Sequence, residues 1–352
     1  MTVRVIPATE AAARLAEFSQ VIDARSESEY AEDRLPGAVN WPSLNDEERA
    51  LVGTIYKQVS AFEARKRGAG LVIANISRHI AREVVDKPRE WQPLVYCWRG
   101  GKRSGVLADL LDQIGFKVTM VQGGYKAFRT AVLADLPVLA QRLRYQVVCG
   151  LTGSGKTRLL KALEQRGAQV LDLEGLAQHR GSVLGLMPGE TQPSQKHFDM
   201  RVWDKLRHFD PARPVYVESE SKKVGNVTVP ESLIQAMRAS PCVWVDLSMD
   251  ERVELLLEDY AWFVRDPEYF CGRLQALVEL RGAAVVKDWH EKVRAGQFSE
   301  VFRDLLERHY DPGYSTSIRR NFQQLGTART VAPRDRSMAA MDAVAGELLT
   351  TG

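Results

Sequence analysis

The chain has 352 residues, 45% hydrophobic and 26% charged, which is the composition of an ordinary soluble globular protein. Its net charge of +3 is too small to establish a nucleic-acid partner by itself, and no apolar run reaches the roughly eighteen residues that a membrane span needs, so no membrane partner is expected. Cys97, Cys149, Cys242 and Cys271 show neither a paired spacing nor a metal pattern such as CxxC, which, with no signal-peptide pattern, predicts a reducing, cytoplasmic compartment. The length predicts two domains. Residues 21–23 read as a strand. In the turn after it, Asp23 and Arg25 are either an internal ion pair clamping a loop or solvated charges. Residues 45–87 read as helical and charged, with a glycine break at Gly68-Ala69-Gly70. A strand at 94–97, an amphipathic helix at 106–114 and a strand at 118–121 follow, the last running into Gln122-Gly123-Gly124-Tyr125. Strands alternating with helices predict a parallel sheet covered on both faces.

Cys97 closes the apolar run of the second strand, and Trp98, Arg99, Gly100, Gly101, Lys102, Arg103 and Ser104 come next. The cysteine therefore sits between a strand and a helix. The two glycines let the backbone curl so that N–H groups point at the sulfur. The positive end of the helix and the three cations also favour the anion. This predicts a nucleophilic thiolate with a lowered pKa, suited to carrying a persulfide or perselenide. The alternative is a buried structural cysteine.

Residues 129–145 read as a helical connector broken at Pro137, and residues 145–149 as a strand. The strand feeds Gly150-Leu151-Thr152-Gly153-Ser154-Gly155-Lys156-Thr157 and then a helix, which is the P-loop pattern in its required setting. Backbone N–H groups of Gly150, Thr152, Gly153, Ser154 and Gly155 would wrap a phosphate at the helix N-terminus. Lys156 supplies the point charge and Thr157 can reach a Mg²⁺. Cys149 reads as core. Strands at 170–174, 215–218 and 242–247 end in or near Asp172, Glu218 and Asp246, where doubly wound folds place their sites. Glu218 is the choice for the acid that serves the P-loop, because the loop after it is the richest in polar groups; a cap or loop hydrogen bond is the alternative for each acid. Arg180 lies in the polar loop His179-Arg180-Gly181-Ser182. After residue 250 the chain reads as helices. Residues 317–336 carry five arginines, Arg319 and Arg320 first among them, against one acid, Asp335. That run suits either RNA phosphates or a solvated face. The expected division is 1–130, a connector at 131–144, a P-loop α/β domain at 145–250 and a helical C-terminal extension at 251–352.

The segments "VIDARSESEY" and "LPGAVN", the Cys97 loop and "VQGGYKAF" resemble a rhodanese domain. The stretch between Trp41 and Trp91 is longer than a minimal rhodanese domain needs. Together with "GLTGSGKT", "LDLEGLAQHRGS", "VYVESESKKVGNVTVP" and "HYDPGY", the chain resembles the tRNA 2-selenouridine synthases over nearly its whole length. The resemblance implies an α/β fold, with an N-terminal rhodanese-like parallel-sheet domain and a C-terminal P-loop NTPase-like α/β domain that has a helical C-terminal region. It also implies a transferase acting on the wobble 2-thiouridine of tRNA. Such an enzyme alkylates the sulfur with geranyl diphosphate and then replaces the S-geranyl group with selenium from selenophosphate. No tightly bound cofactor is implied; Mg²⁺ and the oligomeric state are left open. On this reading the P-loop is a diphosphate cradle that need not hydrolyse ATP, and Cys97 either delivers selenium as a perselenide or assists selenophosphate directly. Trp98 either stacks the displaced base or packs in the core. Residues 183–188 either shelter the geranyl chain or pack. Two other readings are a rhodanese-type sulfurtransferase fused to an ATP-dependent P-loop enzyme and a persulfide-sensing module.

Overall fold

Five short parallel strands form the first sheet: β1 (Arg4–Ile6), β2 (Gln20–Asp23), β3 (Ala38–Asn40), β4 (Pro93–Tyr96) and β5 (Thr119–Val121), in the order β1-β5-β4-β2-β3. The whole of β4 is buried, as expected for a central parallel strand covered on both faces. The computed structural model describes residues 3–182, 184, 185, 189 and 191–350. By its internal contacts the chain divides into two units, residues 1–136 with 196–204, and residues 137–195 with 205–352.

In the first unit, residues 45–87 form two helices, Asp46–Gln58 and Ala61–Glu83. The break falls at Val59 and Ser60, not at the predicted Gly68-Ala69-Gly70. The Ser60 hydroxyl accepts the Glu63 N–H, a cap worth about 1 kcal/mol. Gly68 stays helical and marks a helix–helix contact instead, since a Cβ there would lie 3.4 Å from Val52 Cγ1. The second helix seats Val72 and Ile76 in a core with Ile22, Trp41, Trp91 and Leu107.

The expected connector is also different. Helix Gly124–Arg142 runs through Pro137 without a break. Buried Phe128, Val132, Leu136 and Leu139 hold it, although a proline removes one backbone hydrogen bond. Helix Gln195–Leu206, expected within the P-loop domain, places residues 196–204 in the first unit. Lys196 pairs with Glu32, His197 Nδ1 lies 3.2 Å from Asp33, and the Trp203 indole donates to Asp135.

The second unit is built on β6 (Tyr145–Cys149), β7 (Gln169–Leu171), β8 (Val215–Glu218), the small antiparallel hairpin β9 (Lys223–Val224) and β10 (Val227–Thr228), β11 (Pro241–Val245) and β12 (Gln324–Val331). Its main sheet is parallel, in the order β12-β11-β6-β8-β7. β12 corrects the expectation that residues 251–352 are all helical. It is an edge strand in which only Val331 is buried, so it carries no apolar alternation to read. The last helix, Met338–Thr350, packs Met341, Ala345 and Leu348 against Leu159, Leu160 and Leu163 of the helix that follows the P-loop. Residues 170–174 are not one strand: β7 stops at Leu171 and helix Leu173–Ala177 follows. A helical core around Phe263, Phe270, Trp289 and Phe302 completes the unit. Of residues 183–188, Leu184 belongs to this core, and the rest of the predicted geranyl shelter, Gly185 apart, lies outside the described residues. Among the described residues, no helix is long and apolar enough to cross a membrane.

Candidate functional site

In the first unit, β4 ends at Tyr96 and helix Lys102–Ile114 starts after Gly101, whose φ is +71°. Cys97 lies in the loop between them and is only 3% exposed. The Ser104 hydroxyl donates to its sulfur at 3.2 Å. The loop rests on the "VQGGYKAF" segment. Tyr125 N–H donates to the Cys97 carbonyl at 2.8 Å and Lys126 N–H to the Trp98 carbonyl at 3.1 Å. Gly124, with φ +59°, leaves room for this approach; a Cβ there would collide with the Cys97 carbonyl.

The three cations beside the cysteine are not equivalent. Arg103 donates to Glu29 at 2.8 Å. Burial would raise the Glu29 carboxyl, but the bond and charge of Arg103, with the Ser26 amide and the Arg49 charge, together hold the group below its ordinary range. Arg99, Gly100 and Lys102 are exposed. Trp98 stacks on Tyr125, with ring centroids 5.4 Å apart, so packing already occupies one face of its ring. Asp23 and Arg25 form the clamp. They are fully buried and 2.6 Å apart, Tyr96 donates to Asp23, and Arg25 lies 4.1 Å from the Tyr125 ring centroid.

In the second unit, β6 leads into the P-loop and helix Lys156–Gln165. Gly153, with φ +75°, turns the loop where a Cβ would press on the Arg252 carbonyl at 3.1 Å. Lys156 Nζ donates to the carbonyls of Gly150 and Leu151 at 2.9 and 3.1 Å. Burial lowers its pKa, against the opposing charges of Glu174 and Glu220. A cavity of about 460 Å³ opens here. The expected Thr152, Gly153, Ser154, Gly155, Lys156, Thr157, Arg180 and Glu218 all line it. Asp172 does not. It caps helix Leu173–Ala177 by accepting the Gly175 N–H at 2.7 Å. Glu218 accepts the Glu174 N–H at 3.0 Å, so it positions the start of that helix. Arg180 pairs with Asp259 at 3.1 Å and lies over the rings of Tyr260 and Trp262.

Sequence reading missed Glu174, Glu220, Tyr260, Tyr310 and Tyr314, which also line the cavity. Their only local signal was their place in the quoted segments around "LDLEG", "ESESK" and "HYDPGY", and Tyr260 had none. Tyr314 lies over Lys156 at 5.1 Å and its hydroxyl meets that of Ser219 at 3.0 Å. Burial raises the Glu218 and Glu220 carboxyls. Burial, then the Glu220 charge, pushes Glu174 up to about 8. Among the described residues, no group of three or more His, Cys, Asp or Glu side chains is placed to hold a metal ion.

Arg319 and Arg320 are exposed on helix Asp311–Asn321, the helix that brings Tyr314 and Ser317 to the cavity. The other three arginines of the run face acids: Arg329 faces Glu347, Arg334 faces Asp335, and Arg336 faces Glu251 and Glu258.

A family model described as the tRNA 2-selenouridine synthase AAA domain matches residues 143–269, and a rhodanese-like domain model matches residues 7–131. The chain is 30% identical over 344 residues to a tRNA 2-selenouridine synthase of Sulfurovum sp. (strain NBC37-1), across 87% of this chain and 90% of that protein. The chain belongs to the tRNA 2-selenouridine synthase family. Within that family it is also 32% identical to the Hahella chejuensis protein, across 87% of both chains. It is 38% identical to the Nitrosomonas europaea protein over 244 residues, a match that spans 68% of this chain and 63% of that protein. Among solved structures it is similar to the N-terminal domain of a putative ATP/GTP binding protein from Clostridium difficile 630. That likeness has 35% identity and a TM-score of 0.31, over 37% of this chain and 98% of that one. A rhodanese-related protein from Thermoplasma volcanium is 18% identical with a TM-score of 0.24, over 36% of this chain and 89% of that one. In this member of the synthase family, Cys97 falls inside the rhodanese-like match and the P-loop inside the AAA match, while Tyr310 and Tyr314 lie beyond both.

Proposed function

We propose that this protein converts the wobble 2-thiouridine of tRNA to 2-selenouridine in two steps, each served by one of the two sites. A thiocarbonyl sulfur is a poor leaving group, and alkylation makes it a good one. The P-loop cavity would bind geranyl diphosphate and stabilise the departing diphosphate through Lys156 and the loop amides. The selenium of selenophosphate, assisted at Cys97, would then attack C2 of the base, the geranyl thiolate would leave, and water would cleave the selenium–phosphorus bond to release phosphate and leave 2-selenouridine.

The observation that carries this reading is the composition of one cavity. A diphosphate cradle shares it with the rings of Tyr260, Tyr310 and Tyr314 and with Leu255 and Leu256. Apolar side chains suit a prenyl chain, and aromatic faces attract the positive charge that develops at an allylic carbon. Mg²⁺ fits as an auxiliary charge. Thr157, on the cavity wall, would be the residue to hold it. When bound it would neutralise part of the leaving group's charge.

The test is mass spectrometry of nucleosides from 2-thiouridine tRNA incubated with the protein and geranyl diphosphate, without ATP. S-Geranyl-2-thiouridine is expected without selenophosphate, and 2-selenouridine with it. A strict requirement for ATP, with phosphate release, would favour the fused sulfurtransferase and ATP-dependent enzyme instead.

A further inference from the structure

S-Alkylation of 2-thiouridine leaves a proton to be placed. The sulfur lone pair forms the bond to the prenyl carbon, and the carbon–oxygen bond to diphosphate breaks, with its electron pair leaving on the diphosphate. The ring nitrogen N3 carries a hydrogen in the thiouridine. In the S-alkylated base it is doubly bonded to C2 and carries none. Resting on the prenyl-transfer reading above, we propose that Glu174 is the catalytic base that takes the N3 proton as the sulfur is alkylated.

The geometry singles out this carboxylate. Glu174 and Glu220 converge on one point of the cavity wall, at Gly181. A Cβ built there would lie 2.9 Å from Glu174 Oε1 and 3.0 and 3.2 Å from the two Glu220 oxygens. Glu218 fixes the start of the Glu174 helix through the 3.0 Å bond to its amide. Two further atoms show that a polar ligand completes this space. Glu218 Oε2 and Ser154 Oγ belong to cavity-lining side chains only 2% and 1% exposed, and neither has a hydrogen-bond partner among the described residues. Of the three glutamates, Glu218 and Glu220 are buried and only Glu174 is partly open. The other obvious base, His309, is already engaged. Arg281 donates to its Nδ1 at 3.0 Å, so the neutral ring carries its hydrogen on Nε2 and has no free acceptor nitrogen.

The charges around Glu174 suit the task. Lys156 faces it from the P-loop helix, Glu218 and Glu220 from β8 and the loop after it, Asp172 from its own cap and Arg180 from the following loop. Burial and the Glu220 charge outweigh the two cations and place the group near 8. A base works best when tuned close to the operating pH.

The experiment is single-turnover geranylation of 2-thiouridine tRNA by the full chain between about pH 6 and 9.5, with wild type and Glu174→Gln. The wild-type rate should rise with pH and level off above about 8. The variant should lose roughly a hundredfold or more at pH 7 and recover steadily as pH rises, because hydroxide can replace a missing base. Its KM for geranyl diphosphate should stay within a few-fold of wild type. A variant within a few-fold of the wild-type rate, or one slowed equally at every pH, would overturn the proposal. So would a flat wild-type profile, which needs no variant to fold. No geranylated product from wild type would remove the prenyl-transfer reading itself; normal wild-type product with an indifferent variant removes only the base.

Discussion

The backbone of Gly124 runs so close to the Cys97 carbonyl that no side chain fits between them. The cysteine loop is thus shaped by a glycine 27 residues further along the chain, as well as by Gly100 and Gly101 beside it. Gly124→Ala combines that clash with a φ of +59°, a cost of roughly 1–3 kcal/mol. The variant should melt earlier and lose selenium insertion, while geranylation persists. A wild-type melting temperature together with full selenium insertion would show that the contact is slack.

Lys156 spans its own loop, bonded to Gly150 and Leu151. Those carbonyls are weak partners for a buried ammonium, and a diphosphate would be a stronger one. Lys156→Ala should slow geranylation roughly a hundredfold or more. Normal geranylation by this variant would sink the diphosphate-cradle assignment.

Anion binding should depend on pH with a definite sign. Glu174, placed near 8 by burial and by Glu220, is neutral below that value and anionic above it. Burial lowers the Lys156 pKa, so its charge is also lost more readily as pH rises. Both changes repel an anion. The affinity for inorganic diphosphate, followed by calorimetry, should therefore fall as pH climbs through about 8. Affinity that rises across that window would mean that the carboxylates do not face the anion. The same Glu174 sign applies to stability. A carboxyl raised in the folded state binds its proton more tightly there, so the unliganded protein should lose stability as pH rises from the ordinary carboxylate range to about 8.

Among the described residues, Arg319 and Arg320 are the two arginines of the C-terminal basic run with no acid facing them, exposed on the helix that carries Tyr314. Replacing both by alanine should weaken tRNA binding and make its salt dependence shallower by roughly one to two units of slope. An unchanged slope would mark the pair as a solvated face.

The Cys97 loop and the P-loop were legible as strand–loop–helix turns because their geometry is local. A strand, a few glycines and a helix start are written within about a dozen residues in each case. The Asp23–Arg25 clamp was legible for the same reason. What was hidden depends on distant segments. Glu174 and Glu220 come from different crossovers and meet only when β7 and β8 pair. Tyr310 and Tyr314 reach the cavity on helices, and Tyr260 from the turn between two helices, in segments that read as ordinary packing. β12 was read as a basic helical run because an exposed edge strand has no apolar alternation to reveal it. Asp172, at a strand end like Glu218, turned out to be a helix cap, a difference that local sequence does not encode.

The most direct test of the account is the division of labour between the sites. Cys97→Ser protein is incubated with 2-thiouridine tRNA, geranyl diphosphate and selenophosphate, and both modified nucleosides are quantified. A serine hydroxyl is a far weaker nucleophile than a cysteine sulfur near neutral pH and cannot replace it in assisting selenophosphate. The account predicts that S-geranyl-2-thiouridine accumulates and 2-selenouridine does not form. Near-normal 2-selenouridine from this variant would contradict it, because Cys97 would then play no part in selenium insertion.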